Sequence, residues 1–156
     1  MQRKADPEAL ARSLGSGARV IRHEALDRPI RTGQDFAAAV GCPPAFVGKT
    51  LLLRAGNRYA AVLLSLPDRV DLHAAADKLQ AETVRLATQD ELRQVLNAVP
   101  GAVSPFHLGE VPLYVDEKLP RLPTVYVNAG APGADIALPP SALVARTRAR
   151  SGRFTR

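Results

Sequence analysis

The sequence predicts a single α/β domain in which a mixed, mostly antiparallel sheet is flanked by helices. Three observations carry that reading. Short apolar runs of strand-like composition recur along the chain, among them KTLLLR from Lys49, RYAAVLLSL from Arg58 and TVYVNAG from Thr124. Helices of modest length, several with legible caps, are interleaved with them. Strict strand–helix–strand alternation is missing, which argues against a Rossmann-type sheet. At 156 residues the chain suits one domain with a substantial core.

Each element has its own justification. Asp6-Pro7-Glu8 opens a first helix with an N-cap acid, proline at the first helical position and an acid in the first turn. Gly15 and Gly17 end it, and ARVIRHE after them alternates as a strand. Thr32 caps GQDFAAAVG, with Asp35 three residues on as a partial capping box, and Gly41 with Pro43-Pro44 stops it. Ala55-Gly56-Asn57 reads as the turn of a hairpin between KTLLLR and RYAAVLLSL. Asp71 precedes LHAAADKLQA, whose Leu72, Ala75, Ala76 and Leu79 form one apolar stripe.

TVRLA is then a short strand, and Thr88 with Glu91 makes a full capping box for a helix through Asn97. Pro100-Gly101 breaks that helix. LYVD, TVYVNAG and ADIAL follow as strands separated by turns, and Pro139-Pro140-Ser141 leads a final helical turn around Leu143. The last eleven residues, RTRARSGRFTR, are Arg-rich, low in hydrophobicity and carry Ser and Gly, which predicts disorder. The expected organisation is therefore a domain over 1–145 and a basic tail over 146–156.

Composition excludes several classes. No run approaches the ~18 apolar residues of a membrane span. The N-terminal MQRKADPEALARSLG has no apolar stretch of the signal-peptide kind. The one cysteine, Cys42, rules out an internal disulfide and fits a reducing compartment. These features predict a cytoplasmic protein, expected to be a monomer. The formal charge of +6 includes the five arginines of the last eleven residues, so the remaining body carries only +1. Basicity concentrated in this way permits salt-dependent contact with a polyphosphate without demonstrating it.

Few residues stand where core packing alone would not ask for them. Lys49 is the sharpest, a lysine at the head of a strand-like run. Gly48-Lys49-Thr50 is not a phosphate-binding P-loop, because Pro43 occupies the position of its first glycine and a strand, not a helix, follows Thr50. His23, His73 and His107 lack zinc-ligand spacing and read as surface or partly buried residues; no metal or cofactor is expected. Cys42 reads as a small apolar residue, not a nucleophile. Ser104 lacks the G-x-S-x-G elbow, and no acid is evident to orient a Ser104–His107 pair. In GAVSPFH and NAGAPGAD, glycine lets backbone N–H groups approach an oxygen closely, or serves only as a tight turn.

Together these segments resemble the YbaK/ProX family of aminoacyl-tRNA deacylases, relatives of the editing domain of some prolyl-tRNA synthetases. The resemblance runs from about Val20 to Val144. It rests on Lys49-Thr50-Leu51, on Gly101, Ser104, Pro105 and Phe106, on Asp116, and on Tyr126, Val127, Gly130, Gly133, Asp135 and Ile136. It implies hydrolysis of the ester joining a wrong amino acid to the 3′ end of a tRNA, usually a prolyl tRNA. Aminoacyl-tRNA is then the partner, with prolyl-tRNA synthetase as a second.

By the same resemblance Lys49 is the essential lysine, and Gly101 lends its N–H to the developing oxyanion. Thr50, Ser104, Asn128, Gly130 and Asp135 line the substrate pocket, and water or a substrate thiol attacks. Pro132 and Asn128 depart from the family pattern, which has a basic residue and a serine there, so the amino acid removed is not carried over. A non-catalytic tRNA-binding or synthetase-associated module is the alternative.

Overall fold

The structure, a computed structural model, describes residues 6–156. Eight strands and five α-helices alternate irregularly: α1 (Pro7–Leu14), β1 (Arg19–Arg22), α2 (Gly33–Val40), β2 (Gly48–Ala55), β3 (Arg58–Ser65), α3 (Leu72–Leu79), β4 (Val84–Leu86), α4 (Gln89–Leu96), β5 (Leu113–Asp116), β6 (Val125–Ala131), β7 (Ala134–Leu138), α5 (Pro140–Thr147) and β8 (Arg150–Gly152). The caps are those the sequence announces. Asp6 Oδ1 accepts from the Ala9 N–H at 3.1 Å, and capping boxes close at Thr32/Asp35 and Thr88/Glu91.

The α/β class and the mixed, mostly antiparallel pairing are as expected, but the strands divide between two sheets. One has the order β1-β7-β6 and is antiparallel throughout. The other has the order β4-β2-β3-β5-β8, with β4-β2-β3 antiparallel and β3-β5-β8 parallel. A parallel bridge between Val47 and Tyr126 ties the two together just before β2. At this crossing Gly48 is required by close approach, since a Cβ there would lie 2.8 Å from Leu63 and 3.2 Å from Val127.

Period-two alternation sorts the strand side chains between cores. Ala61 and Leu63 of β3 face Val125, Val127, Ile136 and Leu138 of the three-stranded sheet, with Leu92 of α4 and Leu143 of α5 closing that layer. Ala60, Val62 and Leu64 turn the other way, onto Ala75 and Leu79 of α3 and onto Phe154. A third cluster joins Phe36 and Ala37 of α2 to Ile21, Val47 and Tyr126. Glu91 accepts from Arg85, the Thr88 N–H, Arg54 and the Tyr59 hydroxyl, fastening α4 to the sheet edge; these contacts hold its carboxyl far below the usual range.

The last eleven residues depart from expectation. They are ordered: α5 runs on to Thr147, β8 pairs with β5, and Phe154 and Thr155 are buried. Buried Asp116 explains why. Its Oδ1 accepts the Phe154 N–H at 2.9 Å and the Thr155 hydroxyl at 3.1 Å, while Oδ2 accepts the Lys118 N–H at 3.2 Å. The composition of the segment suggests solvation, but two of its residues and one distant carboxylate make it part of the core.

Candidate active site

A cavity of about 640 Å³ opens where the two sheets meet, within the range of small-ligand sites. Its floor is the start of β2, Val47 to Leu51. One wall comes from Ile30 to Gly33 and Phe36 of α2, another from the Val99–Val103 loop. The end of β1 and the β6–β7 hairpin supply His23, Asn128, Pro132, Gly133 and Asp135. Ile30, Phe36, Val47, Leu66, Val99 and Val103 make much of the lining apolar.

Five of the seven site residues expected from sequence line this cavity: Lys49, Thr50, Gly101, Asn128 and Asp135. The Lys49 Nζ donates to the carbonyls of Leu66 at 3.0 Å and Asp68 at 2.6 Å, which fixes the ammonium at the strand's head. An ammonium has three donors, so one remains for a ligand. Burial draws the Lys49 pKa below the ordinary lysine value, partly offset by the nearby Asp68 carboxylate.

Gly101 sits at the rim with φ +83, a left-handed conformation that L side chains rarely adopt. Asn128 and Asp135 are direct cross-strand partners, so both project from the same face of the hairpin. The Asn128 Oδ1 accepts the Gly130 N–H at 2.7 Å, shaping the bulge that follows.

The other two expected residues are set back from the cavity. Ser104 is buried, and its Oγ accepts the Phe106 N–H at 3.2 Å, a local turn contact. Gly130, at φ +89, lies against the His107 ring, into which any Cβ would run. That glycine is demanded by packing. Cys42 is partly buried, and burial pushes its thiol up, away from nucleophile behaviour.

Sequence reasoning missed His23. Its Nε2 lies 2.5 Å from the Asp135 Oδ2, and both side chains are largely shielded. The residue is positioned twice over: its ring meets Phe36 at a tilt of 42°, centroids 5.4 Å apart, and its backbone N–H donates to Gly133 O at 2.9 Å. Phe36 in turn meets Tyr126 edge-on at 5.8 Å. Burial pushes the Asp135 carboxyl above the ordinary aspartate value, and His23 acts against that shift. The one local signal was that His23 ends the β1 alternation where a strand leaves its sheet. Among the described residues, no group of three His, Cys, Asp or Glu is placed to hold a metal ion, and no helix is long and apolar enough to cross a membrane.

An anchored cation, a positive-φ glycine turn and a histidine–carboxylate pair thus surround one cavity of an α/β domain. The chain belongs to the aminoacyl-tRNA editing domain family, which it matches over residues 27–145. Among solved structures it is similar to a candidate trans-editing enzyme for prolyl tRNA synthetase, with TM-score 0.82 and 27% identity over 96% of this chain and 95% of that one. A hypothetical protein of known structure gives TM-score 0.84 at 24% identity, covering 96% and 98%, a likeness of fold alone. A proline–tRNA ligase of Staphylococcus aureus (strain Newman) is 26% identical over 111 residues, 70% of this chain and 20% of the ligase. The chain thus spans about a fifth of the length of the curated relatives it matches.

Proposed function

We propose that this chain is a trans-editing hydrolase that deacylates mischarged aminoacyl-tRNA, the substrate being prolyl tRNA bearing a small wrong amino acid. The observation that carries this reading is the convergence of Lys49, Gly101 and the His23–Asp135 pair on one cavity in a member of the editing family.

Each group has a task suited to its chemistry. The remaining Lys49 donor holds an oxygen of the terminal ribose, its phosphate or the ester carbonyl, as a compact charge can. With its Nε2–H given to Asp135, His23 carries a lone pair on Nδ1 and takes a proton from the attacking water. The water oxygen bonds to the ester carbon, and the carbonyl becomes an oxyanion that the Gly101 N–H stabilises. The carbon–oxygen bond to the ribose then breaks, the proton passes to the departing ribose oxygen, and free amino acid and tRNA result. Asn128 and Thr50 shape the end that receives the amino acid; where that amino acid is cysteine, its own thiol replaces water, gives its proton to the departing ribose oxygen and leaves a cyclic thioester that water then opens to free cysteine.

Deacylation of prolyl tRNA charged with Ala, Cys or Ser, with correctly charged tRNA as control, tests the reading. Loss of one mischarged species that depends on Lys49, with the correct species spared, is the expected result. Binding without turnover on every species would favour a non-catalytic module.

A further inference from the structure

A second cavity, of about 530 Å³, lies on the other side of the loop that rims the first. Arg146, Arg148 and Arg150 line it, and Glu110 is the one acid in its wall. Some arginines of this protein are neutralised at short range, Arg22 by Glu8, Arg54 and Arg85 by Glu91, Arg93 by Asp90, while others such as Arg12, Arg19 and Arg58 have no ion pair among the described residues. None of the three in the cleft has an ion pair among the described residues; Arg146 instead donates to Ser13 Oγ at 2.8 Å.

The backbone holds them in place. Arg148 caps α5 in the left-handed region at φ 57, turning the chain into β8, where Arg150 pairs with Tyr114 of β5. Buried Phe154 secures the strand from beyond. An ordered arm thus brings three guanidiniums to one cleft, where their fork geometry suits an anion with several oxygens, as in phosphate.

We infer that this cleft docks the phosphodiester backbone of RNA; the inference rests on the aminoacyl-tRNA reading of the Lys49 cavity. Two further observations select this partner. Val103 lines the Lys49 cavity and Pro105 the arginine cleft, and two residues of chain span at most about 7 Å. The two linings therefore adjoin, close enough for a strand whose 3′ end enters the first cavity to reach the second within a few nucleotides. Among the described residues the exposed large apolar ones are Leu86, Val95 and Val99, and none lines the cleft, which is thus without the apolar anchors of a membrane-binding surface.

The test is tRNA binding by the full chain as a function of salt, for wild type, the triple variant Arg146→Gln/Arg148→Gln/Arg150→Gln, Glu110→Lys and Lys49→Ala. The triple variant should lose affinity tenfold or more at about 0.1 M salt, and its log K against log salt slope should flatten by about 2 to 3, roughly one per phosphate contact. Glu110→Lys, which cannot lose function by misfolding and still bind more tightly, should bind more tightly and steepen the slope. Lys49→Ala, which removes one contact at the 3′ end, should lose turnover and change the slope by at most about one, well short of the triple variant. Unchanged affinity and slope in both cleft variants would overturn the inference while leaving Lys49-dependent turnover, and so the proposed function, intact. Cleft-dependent capture of anionic vesicles with no RNA effect would overturn it too. Cleft-dependent tRNA binding in a protein with no turnover would instead support the docking surface and sink the hydrolase.

Discussion

His23 and Asp135, 112 residues apart in sequence, meet at 2.5 Å across the β1–β7 pairing, where Asp135 stands opposite Ile21 and His23 follows two residues later. The carboxylate is the more buried of the two and the ring is fixed by Phe36. This is the arrangement in which an acid orients a base and settles its tautomer. If His23 accepts the proton from water, His23→Gln should lower kcat by about 10²–10³, with KM little changed. Single-turnover deacylation checks it, and a variant with wild-type kcat would assign the base to another group.

The Asp135 carboxyl also makes a stability prediction. Burial raises its folded value above the ordinary aspartate value, so between the two the folded state binds more protons than the unfolded chain. The stability it contributes is complete below the ordinary value and is lost as pH rises through the raised one. At neutral pH the ionised carboxylate therefore weighs against folding. Asp135→Asn, nearly isosteric, should melt at or above the wild-type temperature near pH 8 and lose that advantage near pH 4, while deacylation falls about a hundredfold. Thermal melts at both pH values decide it; a variant several degrees less stable at the higher pH would mean that the His23 contact outweighs the burial.

What was legible in the sequence was what is local. The Thr32/Asp35 and Thr88/Glu91 boxes, the Gly56-Asn57 turn and the two long strands around it each depend on residues within a few positions of one another. Lys49, Thr50, Gly101, Asn128 and Asp135 were expected at one site because a resemblance spread over the chain supplied their order, and they do line one cavity. His23 was hidden because its partner is distant, and a lone histidine at a strand end carries no local mark. Ser104 and Gly130, expected at the same site, lie outside that cavity's lining. A serine or glycine in a short motif looks the same whether it serves a ligand, a turn or the face of His107. The division into two sheets was equally illegible, since it turns on the close approach at Gly48 and not on any strand's own pattern.

Gly101 separates conformation from bulk. Open space surrounds the position its Cβ would take, so substitution there meets no neighbour and only the positive φ resists it. An L residue held in that region costs about 1–2 kcal/mol, or shifts the loop to avoid the cost. Either response moves the N–H that the mechanism aims at the oxyanion, and removing one such donor costs about 10²–10³ in rate. Gly101→Ala should thus lose most of its kcat with a change in melting temperature of only a few degrees, about what 1 kcal/mol produces in a domain of this size. A variant with normal kcat would show that the Gly101 N–H is not the oxyanion donor.

The C-terminal arm offers the sharpest contrast between composition and structure. Phe154 is fully buried against Ala60, Val62 and Leu64 of β3 and Ala75 of α3, and its ring meets Tyr114 at 5.5 Å. Truncating such a side chain costs about 3–5 kcal/mol, a large part of the stability of an ordinary domain. Phe154→Ala should therefore unfold at markedly lower denaturant, and removal of residues 150–156, which strips β8 and both groups held by Asp116, should cost more still. Arg153 and Arg156 are exposed, and the Arg153 contact with Asp71 is long, at 3.6 Å, so Arg153→Gln and Arg156→Gln should each change stability by less than about 1 kcal/mol. Urea melts of the four proteins distinguish a core element from a solvated tail. Equal midpoints throughout would mean that the arm is not part of the cooperative fold. The charge of the arm would then have to act from a mobile segment, and the arginine cleft would lose the rigid frame on which its phosphate geometry depends.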